Sequence, residues 1–136
     1  MPVLTKSLKD PAAPADGVRV LIARFRPRGV RKDAETWAAW DKRLAPSQAL
    51  FDALNGRRRE GGRVVARGLP PLGWEAFRAR FLGEMRAAPA EVALAEWAAR
   101  AAAETVTLLC HCARPAQCHR ALVQALLRAR GHRGLH

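Results

Sequence analysis

At 136 residues and 14.9 kDa the chain has the length of one domain, large enough to bury a single modest core without disulfide or metal staples. Hydrophobic residues make up 49% and charged residues 26%, which excludes a disordered, collagen-like or coiled-coil chain as the main reading. Lys and Arg number 24 against 12 Asp and Glu, a net charge of +12, and that balance points to anionic partners, from small phosphate compounds to nucleic acid.

Only Lys6, Lys9, Lys32 and Lys42 are lysine, and the chain is rich in Ala, Arg, Gly and Pro. A GC-rich genome accounts for Arg in place of Lys but not for the twofold excess of base over acid. No apolar run approaches the ~20 residues of a membrane span. The first residues, Met1-Pro2-Val3-Leu4-Thr5-Lys6, have no signal-peptide pattern. Three cysteines clustered at 110–118 do not make a disulfide framework. The expectation is a cytoplasmic protein with reduced thiols and no membrane partner.

Along the chain, residues 3–7 alternate apolar and polar, as a short strand does. A Pro- and Asp-rich turn at 10–17 leads into 18–25, a mostly apolar stretch with β-branched residues that predicts a buried strand. Asp33 is a candidate cap for a helix over 34–44, with Trp37, Trp40 and Leu44 at helical spacing. A short helix follows from Pro46-Ser47 to Asn55-Gly56. Residues 57–72 read as a longer, flexible insertion that opens with Arg57-Arg58-Arg59, and 63–66 have the composition of a small strand. Trp74, Phe77, Phe81 and Met85 give a helix over 74–87, and Pro89 opens another over 89–103. Residues 105–110 predict a second buried strand, and a last helix over 117–130 is expected to stop at Gly131. This order predicts one α/β domain over residues 1–136. Its central sheet is small and mainly parallel, with 18–25 and 105–110 as inner strands, flanked by helices in a Rossmann-like, three-layer arrangement.

The chemistry-bearing segment is Cys110-His111-Cys112-Ala113-Arg114-Pro115-Ala116-Gln117-Cys118-His119-Arg120, between a strand end and a helix start. Open α/β sheets bind ligands at that edge, and free helix amides there favour anions and thiolates. A zinc site has suitable ligands but lacks a C-x2-C pair, and the sequence predicts no metal and no cofactor. A phosphatase-type C-x5-R loop is absent, because Cys118 stands where Arg is needed after Cys112. Two readings stay open. In one, Cys118 and His119 form a thiol–imidazole catalytic pair. In the other, the triplet Cys118-His119-Arg120 only ties down its loop.

If the two inner strands are neighbours, Arg24 and Arg28 meet Cys112, Arg114 and Arg120 at one edge, where forked guanidiniums suit a phosphate. The resulting partners are a phosphate-bearing small molecule or nucleic acid. A protein without catalysis, whose Arg surplus is genomic, is the third class. The Trp and Phe residues fall at helical spacing and are expected in the core.

Several stretches carry a resemblance: Lys6-Ser7-Leu8-Lys9-Asp10-Pro11, Asp16-Gly17-Val18-Arg19-Val20-Leu21, Arg24-Phe25-Arg26-Pro27-Arg28-Gly29-Val30, Trp37 with Trp40, Leu44-Ala45-Pro46-Ser47, Trp74-Glu75-Ala76-Phe77-Arg78, residues 106–110, and Cys118-His119-Arg120. In these the chain resembles the YeaO-like branch of the domain of unknown function 488 family, small bacterial and archaeal α/β proteins. The resemblance spans nearly the whole chain and implies the α/β fold. It implies no settled activity. Ala23 and Arg26 stand where the family pattern has Asp and Trp, so an acid at the first of these positions is not part of this chain's chemistry.

Overall fold

The structure is a computed structural model and describes residues 2–111 and 118–134. Its centre is the predicted pair of apolar strands. Val18–Leu21 (β2) and Val106–Cys110 (β6) run parallel in register Val18↔Val106 to Leu21↔Leu109, and every residue of both is buried. Strands buried on both faces read as near-continuous apolar runs, which is why these two were legible. Val3–Ser7 (β1) adds to the other side of β6, and Ala39–Trp40 (β3) to the outer edge of β2. The order is β1-β6-β2-β3, all parallel.

The two faces of the sheet are covered differently. Val18, Val20, Ile22, Val106 and Leu108 pack into one apolar cluster with side chains from four helices. These are Gln48–Leu54 (α1), Trp74–Glu84 (α2), Ala88–Ala103 (α3) and His119–Gly134 (α4); Leu50, Phe77, Phe81, Leu94, Trp97, Val123 and Leu127 are their main contributions. The opposite face carries Arg19, Leu21, Thr107 and Leu109. Loops around two short 3-10 turns, Pro14–Asp16 and Lys32–Ala34, meet this face. Thr107 donates to the Asp16 carbonyl at 2.7 Å, and Arg19 Nε donates to the Thr36 carbonyl at 2.8 Å. Asp16 is followed by Gly17 at φ +61°, where a Cβ would stand 2.1 Å from the Thr105 carbonyl oxygen, so only glycine fits the turn.

The helix expected over 34–44 does not form. Ala39-Trp40 is extended against β2: Ala38 N–H donates to the Arg19 carbonyl at 2.8 Å and Asp41 N–H to the Leu21 carbonyl at 2.9 Å. Arg19 also occupies the Thr36 carbonyl, which a helix would have used. The open edge of β2 therefore outweighs the helical spacing of Trp37, Trp40 and Leu44. Trp40 Nε1 donates to the Ala23 carbonyl at 2.6 Å, and only a 3-10 turn, Lys42–Leu44, follows, capped by Asp41.

The expected strand 18–25 is shorter than predicted. The Ile22 amide still donates to Leu109, at 3.0 Å, and the chain then leaves the sheet. Within the 57–72 stretch, Arg58–Glu60 (β4) pairs antiparallel with Arg63–Ala66 (β5). Gly61 and Gly62, at φ +57° and +80°, supply the two positive φ values a tight hairpin turn requires. Asp52 of α1 holds the hairpin through Arg59, at 2.7 Å. Helix α4 runs through Gly131 instead of stopping there, because Gly131 does not take up the positive φ of a terminating glycine; an interior glycine costs a helix only ~1 kcal/mol.

Candidate functional site

Because β2 and β6 are parallel neighbours, the segment leaving β2 and the start of α4 open on one edge of the sheet. A cavity of about 710 Å³ lies there. Its walls come from 23–28 after β2, from Phe51 and Leu54 of α1, from Arg57 and Arg59 of the hairpin, and from Trp74 and Phe77 of α2. Cys110, His111, Cys118 and His119 complete it. This is the carboxyl edge of a parallel sheet, where ligands of α/β proteins bind.

Five arginines touch the cavity, and they are not equivalent. Arg26 is tied to the Glu35 carboxylate and to the Val30 carbonyl, and lies over the Trp37 ring. Arg59 is held by Asp52 at 2.7 Å and by the Gly62 carbonyl at 3.2 Å. Arg57 lies over the Phe51 ring, 5.2 Å from its centroid, with Asp52 at 3.8 Å. Arg24 and Arg28 also line the cavity, and neither enters an ion pair or side-chain hydrogen bond with a described residue.

His119 is the first residue of α4 and is buried. Its Nε2 lies 2.5 Å from the Ile22 carbonyl oxygen. A carbonyl only accepts, so Nε2 carries the proton and the neutral ring presents the Nδ1 lone pair to the Cys118 sulfur, 3.8 Å away. Burial pushes the His119 pKa down to about 4, and the neighbouring Arg120 charge acts in the same direction. The imidazole is therefore neutral at pH 7. Its ring also meets Phe81 edge-on, with centroids 5.6 Å apart. His111, on the cavity wall, is likewise lowered, by burial first and by Lys9 second.

Cys118, just before the helix, is 1% exposed. Against the expectation of reduced thiols, it is disulfide-bonded in the structure, so thiol chemistry at this position belongs to the reduced protein. Its Sγ also lies 2.7 Å from Cys110 Sγ. The ligand atoms of Cys110, Cys118 and His119 all fall within 4.8 Å of one another. Zinc accepts such an S,S,N set only when both sulfurs are thiolates, so the disulfide of Cys118 closes it to metal and only the reduced protein would offer these three ligands.

Four of the residues expected at this edge thus line one cavity: Arg24, Arg28, Cys118 and His119. Arg120 is buried in the first turn of α4 and is not one of the wall residues; its Nε and Nη1 meet no hydrogen-bond partner among the described residues. Cys112 and Arg114 lie outside the described residues. Sequence reasoning missed the aromatic wall. Phe25 and Phe51 were expected in the core but line the cavity, with Phe25 46% exposed, and Trp74 packs against the core while also bordering the cavity. The available signal was Phe25 itself, an apolar ring set between Arg24 and Arg26 in a turn. The arginine run at 57–59 opens the stretch expected to be a flexible insertion, yet Arg57 and Arg59 fold inward onto Asp52.

Residues 3–131 match the family described as the active DUF488-N3 subclade. The chain belongs to the DUF488 family. It is 39% identical over 56 residues to Uncharacterized protein YeaO of Escherichia coli, a match covering 41% of this chain and 49% of that one. It is 30% identical over 117 residues, 86% of each chain, to Uncharacterized protein Mb3100c of Mycobacterium bovis and to Uncharacterized protein Rv3073c of Mycobacterium tuberculosis. No solved structure matches significantly. The DUF488 match runs through both strands of the site edge and most of α4. Among the described residues, no helix is long and apolar enough to cross a membrane.

Proposed function

We propose that the cavity at the carboxyl edge of the sheet binds a small, phosphate-bearing anion, with Arg24 and Arg28 as its charge partners. The observation that carries this reading is the contrast among the five arginines. Arg26, Arg57 and Arg59 spend their charge on Glu35 and Asp52, whereas Arg24 and Arg28 border the cavity with no described acid beside them. A guanidinium fork matches phosphate oxygens two at a time, which makes an uncommitted pair at a concave site a recognition element. The start of α4 adds backbone amides at the same edge.

Cys118 and His119 are the proposed catalytic pair. In the reduced protein, Nδ1 of a neutral His119 is placed to take the Cys118 proton, the first move of thiol nucleophilic chemistry. The Ile22 carbonyl holds the ring in that tautomer.

A nucleic-acid reading would need a continuous basic stripe on the hairpin. Arg57 and Arg59 turn inward to Asp52 and Arg58 pairs with Glu60, so Arg63 and Arg67 are left as exposed cations there. That favours the small anion.

Thermal melting with inorganic phosphate, pyrophosphate and ribose 5-phosphate tests the reading, since a ligand of the native state raises Tm. At least one should raise Tm, and the double variant Arg24→Ala/Arg28→Ala should lose the rise. No shift with any of them, or an unchanged shift in the double variant, sinks the proposal.

A further inference from the structure

Resting on the anion-binding reading, we propose that the molecule bound here also carries a flat aromatic base, so that the ligand class is a mononucleotide. The first argument is size. At about 710 Å³ the cavity falls in the range that encloses drug-sized molecules, and inorganic phosphate would leave most of it empty.

The second argument is the chemistry of the wall away from Arg24 and Arg28. Phe25 and Phe51 meet edge-to-face there, centroids 5.3 Å apart at 69°, and Trp74 stacks on Phe77 at 5.7 Å and 24°. Phe77 is fully in the core, and Trp74 packs against it. Phe25 is different. Nearly half its surface is open, although a large ring in a chain with a sizeable apolar core has somewhere better to go. It stands directly after Arg24 in the chain, so the ring and the uncommitted guanidinium are offered to the same space. Arg57, whose guanidinium lies over the Phe51 ring at 5.2 Å, adds a second planar group to the same wall. Aromatic rings and guanidinium planes beside a phosphate-binding cation form the surface on which nucleobases stack, and such stacking is tolerant of base identity. A sugar phosphate has a charge for Arg24 and Arg28 but no face for Phe25.

The test is isothermal titration with AMP, GMP, CMP and UMP against ribose 5-phosphate, on the wild type and on Phe25→Ala. Phe25 is half exposed, so its removal leaves the core intact. At least one nucleotide should bind about tenfold more tightly than ribose 5-phosphate, the lower part of what one stacked base contributes. Phe25→Ala should remove most of that advantage while leaving ribose 5-phosphate binding within about twofold. If ribose 5-phosphate binds as well as every nucleotide, or if Phe25→Ala weakens both equally, the base-binding inference is overturned and the anion site stands. If no phosphate compound binds, both readings fall together. Binding of adenosine as tight as AMP would keep the aromatic surface and overturn the phosphate partners.

Discussion

Arg19 and Arg24 lie five residues apart, one on β2 and one just past its end, and the fold treats them in opposite ways. Arg19 is buried on the face of the sheet away from the helical core and fully engaged: its guanidinium meets the Asp16 carboxylate, its Nε the Thr36 carbonyl. Lys6 closes the same carboxylate from the other side at 2.7 Å, and the Ala13 amide donates to it at 3.0 Å. Arg24 and Arg28 border a cavity with no acid of the described chain beside them. In a protein of net charge +12, arginine content says little by itself. What separates structure from recognition is whether the charge has been answered within the fold.

The strongest way to break this comparison is to remove the answer. Asp16→Ala would leave Arg19 buried and unpaired, and breaking one partner of a buried pair costs about 3–5 kcal/mol. Urea unfolding should show that loss. A loss below about 1 kcal/mol would mean that the cluster is solvated and that Arg19 is no better anchored than Arg24.

Acid sharpens the same point. The Lys6 ammonium, with the Ala13 amide and the Arg19 guanidinium, holds the Asp16 carboxyl at about 2, against an ordinary value of 3.8. A depressed carboxyl stabilises the fold above its unfolded pKa, and that stability is lost as pH falls through the folded one. The contribution, roughly 2 kcal/mol, is complete above ~pH 5 and disappears between ~pH 4 and ~pH 2. Asp41, also lowered although burial opposes it, since Arg43 and the Trp97 indole both bond it, adds slope of its own. The informative quantity is therefore the difference between wild type and Asp16→Asn at pH 7 and pH 3. The gap should narrow on acidification. A gap that stays constant would show that Asp16 titrates alike in the folded and unfolded chain, so that its ion pairs contribute nothing.

The central strands, their parallel pairing, α2, α3 and the family were legible in the sequence, because buried strands and long helices carry their own pattern. Residues 34–44 were not. Their spacing fits a helix, and only the open edge of β2 and the reach of Arg19 to Thr36, 17 residues away, draw them out straight. The cavity's edge was legible in part. Cys118-His119 and the turn at 24–28 announce themselves in sequence, and parallel pairing brings them to one edge. Its walls were hidden, since Trp74 reads as core by spacing, and the inward fold of Arg57 and Arg59 depends on a single buried acid, Asp52, that no local pattern marks. The pairing of the Cys118 sulfur with the His119 Nδ1 was also hidden. Successive side chains on a helix point in different directions, and here the Ile22 carbonyl turns the ring back.

The smallest expected effect is the most telling. Arg24→Ala and Arg28→Ala should each change unfolding stability by no more than about 0.5 kcal/mol, the range of surface changes that break no network. Neither side chain has a described partner to abandon. Their removal also relieves the mutual repulsion of a strongly basic molecule, so Tm in low salt should hold or rise slightly, with the difference fading in high salt as screening sets in. Arg19→Ala, five residues earlier, should also destabilise clearly, though less than Asp16→Ala, because Lys6 and the Ala13 amide still hold the buried carboxylate. A chain that loses stability equally at Arg19 and at Arg24 would place both in the scaffold and leave the cavity without its cations. Large loss at Arg19, none at Arg24 or Arg28, and loss of the phosphate-induced Tm rise at the latter pair would separate the two classes of arginine within one strand and the turn that follows it.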